Sequence, residues 1–182
     1  MRLLMLGGTE FVGRAVTEDA LARGWDVTVF NRGRHEPPKG VASLQGDRTA
    51  EGGLKTLEDG EWDAVVDTWS GAPSAVRDAA RLLGGRVGHY VYISSRSVYR
   101  FPTPFGLGEE ADVVDGSPDE GDVDYAAAKR GGELAALDVF GDRALFVRAG
   151  LILGPYENIG RLPWWLTRIA RGGRRARFER PL

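Results

Sequence analysis

A chain of 182 residues, 42% hydrophobic and 27% charged with a formal net charge of −2, can bury one good core and at most a small appendage. It contains no cysteine and two histidines, which excludes a disulfide framework and a thiolate metal site and gives no metal centre to build on. No apolar run approaches the length of a membrane span, and the run at 3–6 is too short for a signal-peptide core, so a cytoplasmic protein is expected.

A first strand is expected at 2–6, followed by a glycine turn and a helix at 11–23. Phe11, Ala15, Val16 and Ala20 share one face of that helix, and Gly24 ends it. A second strand at 27–30 runs into the polar turn Asn31-Arg32-Gly33-Arg34, and Pro37, Pro38 and Gly40 mark a loop. A weaker third strand at 41–45 ends at Gly46-Asp47-Arg48. Leu54 and Leu57 then suggest a short helix before a buried fourth strand at 63–67. Pro73 suits the first position of a helix that stops at Gly84-Gly85, and a fifth strand at 89–93 opens on Ser94-Ser95-Arg96-Ser97.

Residues 97–121, with Pro102, Pro104, Pro118 and a cluster of acids, read as a long irregular segment of the kind that usually carries function or moves. A helix at about 122–140, a sixth strand at 144–148, a turn from Gly150 to Gly154-Pro155 and a helix at 163–171 complete the order. Strands alternating with helices, without an internal repeat, predict an α/β doubly wound parallel sheet, a Rossmann fold.

Three places carry chemistry. Gly7-Gly8-Thr9-Glu10-Phe11-Val12-Gly13 lies between the first strand and the first helix and approximates the Gly-x-x-Gly-x-x-Gly turn whose backbone N–H groups face a dinucleotide phosphate. Glu10 stands in place of the middle glycine, and a pyrophosphate repels a carboxylate there unless it turns to solvent. The plainer reading is a turn that needs glycine only for its backbone angles. At the end of strand two an acid would bind the adenosine ribose, whereas an arginine accommodates a 2′-phosphate. This chain has Asn31 and Arg32 there and no acid before Glu36, so NADP is expected over NAD; otherwise Arg32 and Arg34 are solvated loop charges. Asp47 would accept from the adenine amino group or cap the next helix.

Tyr125 and Lys129 are four apart on a predicted helix and leave the same face. A phenol of pKa ~10 is a poor acid–base group at neutral pH, and a neighbouring ammonium draws that value down. Ser95, at the end of strand five, could hold a substrate oxygen beside the phenol. A surface tyrosine and a solvated lysine at a chance spacing is the alternative.

Taken together, these pieces resemble the extended or atypical branch of the short-chain dehydrogenase/reductase superfamily, the NAD-dependent epimerase/dehydratase group. The matching stretches are the glycine turn, Gly46-Asp47-Arg48, Val65-Val66-Asp67-Thr68, the run from Tyr92 to Tyr99, Tyr125-Ala-Ala-Ala-Lys129 and the run from Arg148 to Pro155. The resemblance implies Tyr125 as acid/base, Lys129 on the nicotinamide ribose and Ser95, rather than Ser94, orienting the substrate oxygen. It implies cofactor contacts from Gly7, Thr9, Glu10, Phe11, Val12, Gly13, Asn31, Arg32, Asp47, Arg48 and Thr68, with no metal. It also implies a dinucleotide-binding domain over 1–155 and, over 156–182, the start of a truncated C-terminal substrate lobe, since relatives run on well past Leu182. Dehydratases of the superfamily carry an acid just after the catalytic serine or threonine, where this chain has Arg96, so reduction or epimerisation of a small-molecule substrate is expected.

The last 22 residues hold seven arginines, two tryptophans and one acid, Glu179. That composition suits an amphipathic helix of the substrate lobe, with Trp164, Trp165, Leu166 and Ile169 packing on the rest of that lobe, better than a nucleic-acid or membrane surface. A homodimer stays open, because exposed tryptophans invite self-association. A second function class also stays open: a non-catalytic nucleotide-sensing or RNA-binding member, suggested by Glu10 and the arginine-rich tail. Related chloroplast RNA-binding proteins share the Gly-Gly-Thr-x-Phe start.

Overall fold

Six strands form one all-parallel sheet in the order β3-β2-β1-β4-β5-β6: β1 (Arg2–Leu6), β2 (Asp26–Asn31), β3 (Ala42–Gln45), β4 (Trp62–Asp67), β5 (Val87–Tyr92) and β6 (Ala144–Phe146). The computed structural model describes residues 1–172 apart from Pro104 and Leu107; the remainder of the arginine-rich tail, 173–182, lies outside the described residues. Helices α1 (Phe11–Ala22), α2 (Pro73–Leu83), α3 (Tyr125–Phe140) and α4 (Arg161–Ala170) follow β1, β4, the long loop after β5, and β6.

Side chains alternate across the sheet, and the core divides accordingly. Leu3, Met5, Val27, Val29 and Val66 form one buried cluster with Ala20 of α1. Leu4, Leu6, Val65, Tyr90 and Tyr92 form the other with Val76, Ala79 and Leu83 of α2 and Ala135, Ala136 and Phe140 of α3. Each fully buried Leu, Val or Met contributes about 1.5–3 kcal/mol, so these two clusters hold the sheet between its helix layers.

Local chemistry sets the element ends that matter for function. Gly7 and Gly8 have φ of +115° and +91°, which let the chain leave β1 sharply. A Cβ on Gly13 would stand 2.6 Å from the Gly8 backbone N, so glycine there allows α1 to start hard against the turn. The Asp124 carboxylate accepts from the Ala126 and Ala127 N–H groups at 3.0 and 3.2 Å, so α3 begins at Tyr125 and not at 122 as the sequence suggested. The expected short helix is a 3₁₀ turn over Lys55–Leu57, and β6 is three residues long instead of five. The strand order reverses between β1 and β4, and the strands' carboxyl ends open there into a crevice.

The far edge is different. Within β6 and beyond, Leu145, Leu151, Leu153 and Ile159 are exposed, and α4 has no buried residue. Trp164 and Trp165 meet edge to face at 4.8 Å between centroids, with their outer surfaces in solvent.

Candidate active site

A cavity of about 400 Å³ occupies the crevice. Its walls are the glycine turn (Leu6, Gly7, Gly8, Thr9, Glu10), the end of β2 (Phe30, Asn31, Arg32, Arg34, His35), the end of β3 (Gly46, Asp47, Arg48) and the end of β4 (Thr68, Trp69, Ser70). Eight of the residues expected to touch a cofactor therefore line it: Gly7, Thr9, Glu10, Asn31, Arg32, Asp47, Arg48 and Thr68. Phe11, Val12 and Gly13 form the first turn of α1 behind that wall. Among the described residues no side chain caps this helix, which leaves first-turn N–H groups for an anion. A Cβ on Gly7 would collide with the Thr68 hydroxyl, itself donating to Leu6 O at 3.0 Å, so glycine is what keeps this wall open.

Glu10 turns to the rim. Its half-exposed carboxylate accepts from Asn158 Nδ2 at 3.3 Å and lies 3.7 Å from His35 Nε2. Arg32 and Arg34 face the cavity together and help hold the Asp47 carboxyl below its ordinary range, behind the larger effect of its bonds from the Thr49 hydroxyl and N–H. Asp47 Oδ1 accepts both Thr49 groups within a turn, and it does not cap the next helical element, Lys55–Leu57, which starts after Leu54 without a side-chain cap.

Arg48, in the cavity wall, also has a buried partner within the protein. Its guanidinium makes a two-point ion pair with Asp67 at 2.7 and 2.9 Å and donates to Ala75 O at 3.0 Å. Asp67 also accepts from the Tyr90 hydroxyl at 2.5 Å and the Trp69 N–H at 2.9 Å. Burial is the largest single effect, raising the Asp67 carboxyl and lowering the Arg48 guanidinium. The ion pair together with the bonds from Tyr90 and Trp69 nevertheless leaves Asp67 below its ordinary range, and the ion pair together with Tyr90 leaves Arg48 above its own. Two buried polar atoms have no partner among the described residues, Asn31 Nδ2 and Arg48 Nε, and both residues line the cavity. Open helix N–H groups, unpaired donors and glycine walls suit a polyanionic ligand with ribose hydroxyls, so the residues present fit a dinucleotide.

The second part of the site lies at the end of β5. Lys129 is buried on α3, and its Nζ donates to Trp69 O at 2.6 Å and to Ile93 O at 2.7 Å. Burial pulls its pKa down to about 8, opposed by Asp67 and Glu133 and reinforced by Arg48. The ammonium lies 4.8 Å from the centroid of the Tyr92 ring and 6.0 Å from that of Tyr125. Tyr125 opens α3 with half its surface in solvent. Ser95 is buried; its hydroxyl accepts from Ser97 N and donates to Ser97 Oγ, both at 3.2 Å. Ser94, the serine set aside, instead donates to the buried Glu133 carboxylate at 2.7 Å. Thus Trp69 O, in the cavity wall, and Ile93 O, two residues before Ser95, meet on one lysine.

Sequence reading missed His35, Trp69 and Ser70 of the wall, and Glu133. Only Glu133 had a signal, as the next four-residue step after Tyr125 and Lys129. Among the described residues no three metal-ligating side chains cluster, and no helix is long and apolar enough to cross a membrane.

Residues 3–180 match the family model described as the NAD dependent epimerase/dehydratase family. No curated protein matches by sequence. Among solved structures, the Bordetella bronchiseptica enzyme WbmG, in complex with NAD and UDP, superposes with a TM-score of 0.75 at 19% identity, covering 96% of this chain and 61% of that one. UDP-N-acetylglucosamine 4-epimerase from Bacillus cereus gives 0.70 at 19% identity, with 93% and 62% covered. dTDP-glucose 4,6-dehydratase from Bacillus anthracis, in complex with NAD, gives 0.68 at 15% identity, with 94% and 62% covered. The chain spans about three fifths of the length of these solved relatives.

Proposed function

The chain belongs to the NAD dependent epimerase/dehydratase family, and on that premise we propose that it binds a nicotinamide dinucleotide in the β1–β2–β4 cavity and oxidises or reduces a hydroxyl- or carbonyl-bearing carbon of a small-molecule substrate. The observation that carries this reading is Lys129: one buried ammonium, beside Tyr125, ties the cavity wall at Trp69 to the strand end that bears Ser95. Bound in that cavity, the nicotinamide would supply the hydride donor or acceptor.

The chain's own residues would do the rest. The uncapped α1 N-terminus and the Gly7–Gly8 turn would hold the pyrophosphate, with Asn31 and Arg48 offering donors to ribose or phosphate oxygens. Tyr125 would give or take the proton of the reacting oxygen, with the Lys129 ammonium 6.0 Å from its ring, while the Ser95 hydroxyl orients that oxygen. Arg32 and Arg34 at the end of β2 support NADP over NAD, because a guanidinium pairs with a 2′-phosphate in a charge-assisted bond. Arg96 beside Ser95 supports reduction or epimerisation over dehydration, since it is a base where dehydratases of the superfamily carry an acid.

Titrating the protein into NADPH and into NADH, read by nicotinamide fluorescence, tests both levels. NADPH is expected to bind in the micromolar range and about tenfold more tightly than NADH, a difference of about 1.4 kcal/mol that Arg32→Ala/Arg34→Ala removes. Equal affinities in the unaltered protein would remove the role given to the two arginines. Absence of binding by either nucleotide would overturn the dinucleotide reading.

A further inference from the structure

Neither dinucleotide binding nor proton transfer accounts for Glu133, whose side chain has no exposed surface. It sits on α3 one turn beyond Lys129 and two beyond Tyr125, on the same face. Oε1 accepts from Ser94 Oγ at 2.7 Å and Arg148 Nε at 2.9 Å; Oε2 accepts from Arg148 Nη2 at 2.9 Å and Arg130 Nη1 at 3.0 Å. Four donors saturate one carboxylate, and together they hold its pKa low against the opposing effect of burial.

The partners sit on both sides of Ser95. Ser94 precedes it directly, and Lys129 holds Ile93 O one residue earlier. On the other side Arg148 adjoins Ala149, which pairs with Ser95 in a parallel bridge and accepts from Arg96 N at 2.9 Å. Arg148 itself is anchored further by donating to Tyr99 Oη and Glu109 O, each at 3.0 Å. A buried ion pair is a poor source of net stability compared with apolar packing, so a fully satisfied one at this spot asks for another purpose.

We propose that Glu133 is a positioning residue: by gripping Ser94 and Arg148 at once, it fixes the Ser95 hydroxyl in relation to Tyr125 and Lys129. The proposal rests on the reading of those three side chains as the reacting groups, but its test needs neither cofactor nor substrate, so the two fail separately.

The experiment uses the full chain without ligand and two variants, Ser94→Ala and Glu133→Gln. Amide exchange at Arg96 and Ser97, whose N–H groups bond to Ala149 O and Ser95 Oγ, reports how firmly the strand end is held. In Ser94→Ala these amides are expected to exchange about tenfold faster or more, while β1 amides keep their rates. Lysine carbon-13 resonances give the second readout, because the chain has only Lys39, Lys55 and Lys129. In Glu133→Gln the Lys129 ammonium loses one of the anions near it. It is left with Asp67, Arg48 and the rings of Tyr92 and Tyr125 around it, and the charges of Arg130 and Arg148 lose their counterion. Its titration is expected to move down by roughly half a pH unit or more, which a loss of global stability alone does not produce. Unchanged exchange at Arg96 and Ser97 in Ser94→Ala overturns the proposal, as does an unmoved Lys129 titration in folded Glu133→Gln. If Glu133→Gln does not fold, Ser94→Ala decides alone.

Discussion

The two ends of the sheet are built on different terms. At the β1–β4 junction every layer is closed: α1 lies on one face, α2 and α3 on the other, and the polar Arg48–Asp67–Tyr90 group is buried among apolar side chains. At the β6 edge, apolar residues of β6, the turn after it and α4 meet solvent, with Ile169 67% exposed and Leu151 62%. The first end carries the cavity. The second exposes a run of large apolar side chains to solvent among the described residues.

The largest expected effect breaks the closed end. Asp67→Ala leaves the Arg48 guanidinium buried without its anion and removes the Tyr90 acceptor, which costs about 3–5 kcal/mol. Chemical denaturation would show it, and a loss under about 1 kcal/mol would mean that the group is wet or relaxes freely.

The next effect joins the two regions through Lys129. Its folded-state pKa of about 8 lies below the 10.5 of the free side chain, so between those values the unfolded chain binds more protons. Stability therefore carries a penalty below pH 8 that is relieved as pH rises through this window, by on the order of 3 kcal/mol for a shift of this size. The contribution appears as a rise in the difference between the unaltered protein and Lys129→Met, which has no such proton to lose. Parallel stability–pH curves for the two would contradict the burial of a titrating ammonium.

The smallest effect is at the open edge. Ile169→Lys on α4 is expected to change stability by less than about 0.5 kcal/mol, because nothing is buried there to lose. A cost of several kcal/mol would show that α4 packs on something.

How legible this was depended on distance along the chain. The alternation of Leu3 and Met5 with Leu4 and Leu6, then glycines, then a helical period made β1, its turn and α1 readable locally, and Pro73 marked α2 in the same way. Tyr125 and Lys129 were readable because helical spacing alone puts them on one face. Asp124 as the cap was present in the sequence, but Asp122 competed with it, and only the N–H groups of Ala126 and Ala127 separate the two. The ion pair of Arg48 was not readable: its partner Asp67 is nineteen residues away on another strand, and no local pattern points from one to the other. Glu10 likewise looked like an obstacle until the fold brought Asn158 and His35 to its carboxylate at the rim.

The most direct test of the cavity is amide hydrogen exchange with and without saturating NADPH. Slowed exchange is expected over residues 7–13, 31–35 and 68–70, at three of the four strand ends that wall the cavity, with no change across α4. Protection absent from those three segments, or confined to α4 and the β6 edge, would contradict the placement of the dinucleotide at the closed end of the sheet.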